Sequence, residues 1–324
     1  MKRISVILII QFILLTFCAC SEGLYINGGS TSDGPQLEAI PDNNAAERYA
    51  TTLYFGMQNE GYLLSEERNV QLDPNQSHIY SVLKALIIGP SKDNCKRLIN
   101  SNTDILSVTT NNNYVYLSLS KEFLDVPSAT EGWQNNYIIA DQVYRERRLA
   151  IYSIVNTLTV TGEFAYVQLF VDIDNDGVAE RISRGDAGFV GDGNESEQLD
   201  MLVREHGYIY SPSNAVRLAI DLIAKNQPKR LYDIISRTEE DVKTSYEDFL
   251  SIFSQANCII GDYSVDEEIS VSNFGNTFTV MVDYAVKTKG SNNAIIYNDI
   301  PVKVLRNDNT YLVDMDFIEN ILKG

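Results

Sequence analysis

Residues 77–90 read Ser-His-Ile-Tyr-Ser-Val-Leu-Lys-Ala-Leu-Ile-Ile-Gly-Pro, and they decide how the first part of the chain folds. Ser77 is a good N-cap, because its hydroxyl can accept a hydrogen bond from one of the unpaired N–H groups of the first helical turn. Gly89 and Pro90 then end the helix, since glycine tolerates a positive φ and proline cannot continue the helical hydrogen bonds. The pattern predicts a helix from His78 to Ile88.

Strands are predicted on both sides of this helix. The turn residues Asn111, Asn112 and Asn113 separate two strand-like runs, which predicts a β-hairpin. Strands and helices alternate along residues 47–190, and this indicates one compact α+β unit. Besides the first helix, the predicted elements are the strands Thr51–Phe55, Arg68–Leu72, Ile105–Thr109, Tyr114–Leu119 and Tyr166–Val171 and a long helix Asn136–Leu158.

A change in hydrophobic period marks a second unit over residues 208–324. Ser211 and Pro212 predict the N-cap and first position of a helix. From Phe278 to Val286 the period becomes two, which is typical of a half-buried strand. Helices followed by an antiparallel meander predict a curved sheet wrapped around helices. The expected fold class is therefore α+β with two domains, joined by a linker over residues 191–207. A further helix is predicted from the spacing of Val242, Tyr246, Phe249 and Phe253.

The first twenty residues indicate export. Lys2 and Arg3 precede an apolar run that is short for a membrane span and typical of a secretory signal peptide. Cys20 follows the small residue Ala19, and this pair resembles the end of the lipobox of bacterial lipoproteins. Phe17 stands at the position where the lipobox usually has Leu. We expect a signal peptide over residues 1–19, a lipid on Cys20 and a flexible tether over residues 20–46, rich in Gly, Ser and Asn. A cleaved signal peptide with incidental cysteines is the alternative.

The charge of the chain limits its partners. The 324 residues include 26 Lys and Arg against 44 Asp and Glu, a formal net charge of −18. Such acidity argues against nucleic acid, which binds to cations arranged along its phosphates. It also argues against electrostatic attachment to anionic lipid, so a lipid anchor is the expected route to the membrane. Cys95 and Cys258 are expected to be unpaired, buried thiols.

An acidic loop follows the last strand of the first unit and is the sharpest candidate site. Residues 172–180 read Asp-Ile-Asp-Asn-Asp-Gly-Val-Ala-Glu. Carboxylates at alternate positions, a glycine at the turn and a carbonyl at the seventh position suit Ca²⁺, which prefers oxygen ligands. The loop lacks the Glu that an EF-hand carries at position 12, and it follows a strand. The alternative is a polar hairpin turn, because Asn-Asp-Gly favours turns. The candidate ligands of a structural calcium ion are Asp172, Asp174, Asp176, Val178 and Glu180.

The first unit resembles the GerMN domain, named for the germination protein M lipoproteins of spore-forming bacteria. The resemblance covers Leu53 to Val171 and implies a non-catalytic, extracytoplasmic domain linked to sporulation, germination or the cell envelope. It supplies no catalytic residues, and Asn156 and Thr157 are expected to cap the turn into the last strand. The motif blocks that carry the resemblance are Leu53–Phe55, Leu83–Pro90, Tyr114–Phe123, Ile154–Thr159 and Tyr166–Val171.

The second unit resembles, by element order only, the cystatin-like α+β cone of nuclear-transport-factor-like domains. Such cones bind small ligands or proteins, so the resemblance implies a recognition surface rather than a particular activity. Common enzyme motifs are missing from the sequence, including Gly-x-Ser-x-Gly, His-Glu-x-x-His and the phosphate-binding glycine loop.

These observations favour a lipid-anchored, non-catalytic binding or scaffold protein outside the membrane of a Gram-positive spore former. Its expected partners are envelope or sporulation proteins. One alternative is a peptidoglycan hydrolase that acts through paired carboxylates, since many acids are present. Another is a solute-binding lipoprotein that holds a small ligand in the cone.

Overall fold

The computed structural model describes residues 47–127, 129–236, 245–256, 258–272, 275–290 and 293–323. The predicted signal peptide, Cys20 and the tether lie outside the described residues, as does Val242. Residues Ala46–Gly324 form one compact unit, so the two predicted domains are described together. Among the described residues, no helix combines the length and the apolar character that crossing a membrane requires.

A three-stranded antiparallel sheet and a helix open the fold. The strands are β1 (Arg48–Met57), β2 (Leu63–Gln71) and β3 (Cys95–Lys96), in the order β2-β1-β3. Helix α1 (His78–Ile88) has the predicted bounds, because the Ser77 hydroxyl accepts from the Tyr80 N–H at 3.2 Å and Gly89 ends the helix at φ 105°.

A four-stranded sheet follows and contains the predicted hairpin. Its strands are β4 (Ile105–Asn111), β5 (Tyr114–Ser120), β6 (Tyr166–Asp172) and β7 (Glu180–Arg181), in the order β4-β5-β6-β7. Strands β5 and β6 are parallel, so a long connection must join them, and helix α2 (Tyr137–Thr159) lies within it. Short 3₁₀ turns occur at Lys121–Leu124 and Trp133–Asn135.

The C-terminal half has helices first and then an antiparallel meander, as predicted. A third 3₁₀ turn, His206–Tyr208, leads into it. Its five-stranded sheet has the order β8-β12-β11-β10-β9 and is antiparallel except between β8 and β12. The elements are α3 (Pro212–Ala224), α4 (Pro228–Asp233), β8 (Ile235–Ser236), α5 (Tyr246–Ser254), β9 (Cys258–Val271), β10 (Thr277–Thr288), β11 (Ala294–Asn307), β12 (Thr310–Asp314) and α6 (Met315–Lys323).

One face of this sheet is buried against the helices. Val280, Val282 and Val286, at alternate positions of β10, are at most 2% exposed. The C-terminal helix α6, which sequence reasoning missed, packs Phe317 edge-on against Tyr284 at 5.9 Å between ring centroids. The α+β fold class is confirmed, while the resemblance of this half to a cystatin-like cone stays a prediction.

The predicted linker 191–207 packs against the first half of the chain. Leu199 and Leu202 are buried, and the backbones of Leu202 and Val167 exchange two hydrogen bonds of 2.9 Å. Buried residues of both halves belong to the same hydrophobic cluster. The exact domain boundaries therefore stay predictions.

Candidate functional site

The acidic loop Asp172–Glu180 is a hairpin connection between β6 and β7. Asp172 is buried, and its two carboxylate oxygens accept the N–H groups of Asp176 and Gly177 at 3.0 Å each. The Asp176 carboxylate accepts the Val178 N–H at 2.8 Å. Asn175 and Gly177 have φ of 58° and 88°, a region that Asn and Gly tolerate best. The loop thus stabilises its turn with its own hydrogen bonds.

The other candidate calcium ligands are exposed. Asp174, Asp176, Val178 and Glu180 all face solvent, and Val178 is 61% exposed. Within the described part of the chain, no three His, Cys, Asp or Glu side chains are grouped closely enough to hold a metal ion. Each carboxylate oxygen of Asp172 already accepts one backbone N–H group of the loop. Calcium binding therefore stays a prediction for this loop.

The motif residues on α2 bind the first strand. Ser153 donates its hydroxyl to the Tyr54 carbonyl at 2.5 Å, and Thr157 Oγ1 accepts the Tyr54 N–H at 3.1 Å. Strand β3 pairs only with Gly56 and Met57 of β1, so these two hydroxyls satisfy backbone groups of β1 that the sheet leaves unpaired. The capping role expected for Thr157 at the last strand is therefore wrong, because its hydroxyl faces β1.

Asn156 joins α2 to the segment that leads into the C-terminal half. Its side-chain amide donates to the Glu205 carbonyl at 3.1 Å and accepts the Glu205 N–H at 2.9 Å. Asn156 is fully buried. It therefore binds the backbone of a residue that is distant along the chain. The prediction that Asn156 caps the turn before β6 is wrong.

Arg204 completes this network. Its guanidinium donates to the Asn156 carbonyl at 2.9 Å and to the Tyr54 hydroxyl at 2.5 Å, and it lies 5.2 Å from the centroid of the Tyr54 ring. Because its guanidinium is engaged by the cation–π contact and both hydrogen bonds, Arg204 stabilises the fold. Motif blocks from β1 and α2 are thus joined by packing and hydrogen bonds.

Polar contacts also join the N-terminal and C-terminal halves at residues outside this network. Arg230 forms a two-pronged ion pair with Glu60, with N–O distances of 2.9 and 2.5 Å. Asn94 donates to the Asn309 side chain at 2.6 Å, and Asn309 contacts the Cys95 thiol at 3.4 Å. Burial raises the pKa of Cys95 to about 11, so the thiol is protonated at neutral pH. These contacts fix the turn between β11 and β12 against the first half.

Both cysteines of the described residues are free. Cys95 is buried, as predicted, whereas Cys258 is only half-buried. Burial raises the pKa of the Cys258 thiol as well. Neither cysteine therefore has the lowered pKa that a reactive thiol needs.

A groove runs between β2 and α1. Its volume is about 440 Å³. Ile88 at its end is 62% exposed, and Lys84 is also exposed. Its lining further includes Arg68, Val70, Asp73, Tyr80 and Ala85. Apolar side chains and charges of both signs therefore meet on the surface of the GerMN-like part of the chain.

A cavity of about 310 Å³ opens where the helices of the C-terminal half meet the sheet. Its polar groups include the Cys258 thiol and Lys289, which donates to the Ala256 carbonyl at 3.2 Å. Its apolar lining includes Ile223, Phe253, Ile260 and Leu322. The size is at the lower end of the range for small-molecule sites.

One family model matches part of the first half of the chain. The family model Germane, described as sporulation and spore germination, matches residues 52–172, which is less than half of the chain. No curated protein matches the chain.

Two solved structures are similar to part of the chain. A candidate lipoprotein from Clostridium perfringens has 19% identity and a TM-score of 0.27, over 49% of this chain and 89% of that one. The tandem GerMN domains of the sporulation protein GerM from Bacillus subtilis have 17% identity and a TM-score of 0.32, over 52% of this chain. The chain spans about half of the length of that second structure, 50%. The matched residues 52–172 coincide with the motif blocks between Leu53 and Val171, so this part of the chain is similar to the Germane family, as the sequence predicts.

Proposed function

We propose that the protein is a lipid-anchored, non-catalytic binding or scaffold protein of the cell envelope, serving sporulation or germination in a Gram-positive spore former. The observation that carries the proposal is the Germane match over residues 52–172, whose family is described by those two processes. The predicted signal peptide and the predicted lipid on Cys20 support a place on the outer face of the cell membrane.

The contacts of the motif residues support a binding role. Ser153, Asn156 and Thr157 are each engaged with backbone groups of Tyr54 or Glu205. Side chains used in this way build a rigid scaffold, and a rigid scaffold presents its surface grooves at low entropic cost to a partner. The groove between β2 and α1 is the surface that we assign to an envelope or sporulation protein.

The chemistry of this groove indicates what it would hold. Ile88 and Ala85 offer apolar contact, and Lys84 offers a cation on a chain that is otherwise strongly acidic. A protein segment with an apolar anchor and an acidic side chain nearby would complement both. Apolar anchors in such grooves supply most of the affinity, while rim charges mainly raise the rate of association.

Site-specific photo-crosslinking in sporulating cells tests the proposal. A photoreactive residue at Lys84 should crosslink one recurrent envelope or sporulation protein, and Ile88→Lys should abolish the product. A photoreactive residue at Lys121, also exposed but distant along the chain, is the matched control. The absence of any recurrent product at Lys84, or a product that survives Ile88→Lys, would contradict the assignment of this groove.

The 310 Å³ cavity of the C-terminal half favours a second candidate, a solute-binding lipoprotein. An apolar, anionic dye such as 1-anilinonaphthalene-8-sulfonate would suit a cavity whose mixed lining combines apolar side chains such as Phe253 and Leu322 with the Lys289 cation. Ala224→Phe, which fills the lining, should remove dye fluorescence that the wild type shows, while Lys225→Gln just outside the lining should keep it. Equal fluorescence in all three proteins would count against a ligand cavity here.

A further inference from the structure

Strand β4 forms one edge of the four-stranded sheet. It pairs with β5 on one side, and no described strand pairs with it on the other. In an antiparallel pair, only alternate residues direct their N–H and C=O groups to the partner strand. The groups of the intervening residues point outward, and within the described residues no hydrogen bond reaches them. Within the described part of the chain, this side of β4 therefore has no strand partner.

The composition of β4 does not protect this edge. Natural edge strands avoid pairing with other chains by carrying charges, proline or bulges. No charged residue and no proline occurs between Asp104 and Lys121, the longest uncharged run in the described residues. A bulge between Ile105 and Ser107 leaves the five residues Ser107–Asn111 in regular pairing with β5.

The other large sheet shows what a protected edge looks like in the same chain. Its edge strand β9 carries Asp262, Asp266, Glu267 and Glu268. Arg217 also donates to the Val265 carbonyl of β9 at 2.7 Å. Charge and side-chain hydrogen bonds therefore cover β9, whereas β4 has neither.

The side chains of β4 would also gain from a neighbouring strand. Ile105 and Val108 pack against the hydrophobic core but remain partly exposed, because β4 is the last strand on this side. Their cross-strand partners on β5, Leu119 and Leu117, are almost fully buried. A further strand beside β4 would continue this burial.

We propose that β4 pairs antiparallel with β4 of a second copy of this chain, about a two-fold axis through Thr109. Two copies with a net charge of −18 each repel, so a contact between them requires a surface without charge, and β4 provides one. The strand is also complementary to itself. Around Thr109 the pairing places Thr109 opposite Thr109, Ser107 opposite Asn111 and Val108 opposite Thr110. Thr–Thr and Thr–Val neighbours of this kind stabilise antiparallel strands, and a two-fold contact closes on itself.

Charge substitution at Thr109 tests the pairing. The full chain, purified in a non-ionic detergent, is examined by analytical ultracentrifugation over a range of concentrations. The wild type should form dimers as its concentration rises. Thr109→Lys and Thr109→Glu should each sediment as monomers, since each places like charges opposite one another. An equimolar mixture of the two variants should recover the dimer, which also shows that both variants are folded.

Ser118→Lys is the matched control, because Ser118 lies on β5, beside Ser107 but one strand in from the edge. It should dimerise like the wild type, which excludes co-occupancy of one detergent micelle as the cause. A wild type that stays monomeric at every concentration would overturn the proposal and leave the edge to an extended segment of another protein. Undiminished dimers of Thr109→Lys, or no recovery in the mixture, would overturn it as well.

Discussion

Replacing Asn156 with alanine tests whether the motif residues of α2 stabilise the fold through hydrogen bonds to distant backbone groups. The side chain is fully buried and makes two hydrogen bonds to the backbone of Glu205. Each such bond contributes about 1 kcal/mol net, and a buried backbone group left without a partner costs about 1–3 kcal/mol. Because Glu205 itself is only half-buried, water can reach part of the site. We expect Asn156→Ala to lower the free energy of unfolding by about 2–4 kcal/mol.

The measurement is urea denaturation of the full chain, followed by the fluorescence of Trp133. This is the one tryptophan of the chain, and it lies 5.2 Å from the Arg147 guanidinium and 5.3 Å from the Tyr144 ring. In a thermal scan, each kcal/mol should lower the Tm by about 2–4 °C in a unit of this size. Asn156→Asp should also destabilise, since its carboxylate keeps the Glu205 N–H but repels the Glu205 carbonyl.

Asn102→Ala is the matched control, because Asn102 is exposed in a surface turn. It should change the midpoint by less than about 0.5 kcal/mol, as surface substitutions usually do. If Asn156→Ala unfolds at the same urea concentration as Asn102→Ala, the hydrogen bonds between Asn156 and Glu205 do not stabilise the fold. A structural role for the motif residues would then be refuted.

Three further predictions concern the acidic loop, a buried carboxylate and the lipid anchor. Millimolar calcium should raise the Tm of the wild type, and Asp174→Ala should abolish the rise; no shift on calcium addition would leave only a hairpin turn. Burial alone would raise the pKa of Glu66, but hydrogen bonds from Ser91 and Arg68 outweigh it and lower the pKa. Glu66 therefore stabilises the fold above the ordinary Glu pKa of about 4.3, and this contribution is lost as the pH falls through the lowered value. Glu66→Gln should thus destabilise the protein at pH 7 and progressively less at acid pH, whereas a constant difference in urea midpoint would contradict the ion pair. Cys20→Ser should release the protein from the membrane fraction, and a mutant that still sediments with membranes, beside a wild type that takes up no labelled fatty acid, would exclude lipidation.

Local signals explain which elements could be predicted from sequence. The sequence predicts the bounds that helix α1 has in the structure, because Ser77 and Gly89 act on their immediate neighbours. The sequence predicts the start of β2 at Arg68, whereas the strand begins at Leu63. Glu66 has the character of a surface residue in the sequence, because its buried contacts with Ser91 and Arg68 form only in the fold. The period of two is clear only from Phe278 onward, so the sequence does not predict β9. The acidic residues of this edge strand interrupt the alternation of apolar and polar positions.

Distance along the chain explains the rest. Asn156 and its partner Glu205 are 49 positions apart, so no local pattern indicates their contact. The nine-residue helix α6 directly follows β12, and no turn residue separates the two elements. The sequence therefore does not indicate where this helix begins. The acidic loop could be located but not interpreted, because the same carboxylates that suit calcium also stabilise a turn through Asp172 and Asp176.

We propose that the protein, anchored by a lipid and carrying a Germane-like domain, serves sporulation or germination from the outer face of the membrane. The most direct test of this claim is the yield of heat-resistant spores and their germination rate in a strain that lacks the gene. We expect a defect in spore yield or germination that the wild-type gene corrects and that Cys20→Ser, produced at the same level, does not correct. A deletion strain that sporulates, germinates and keeps its envelope like the parent would contradict the claim, and so would full rescue by Cys20→Ser.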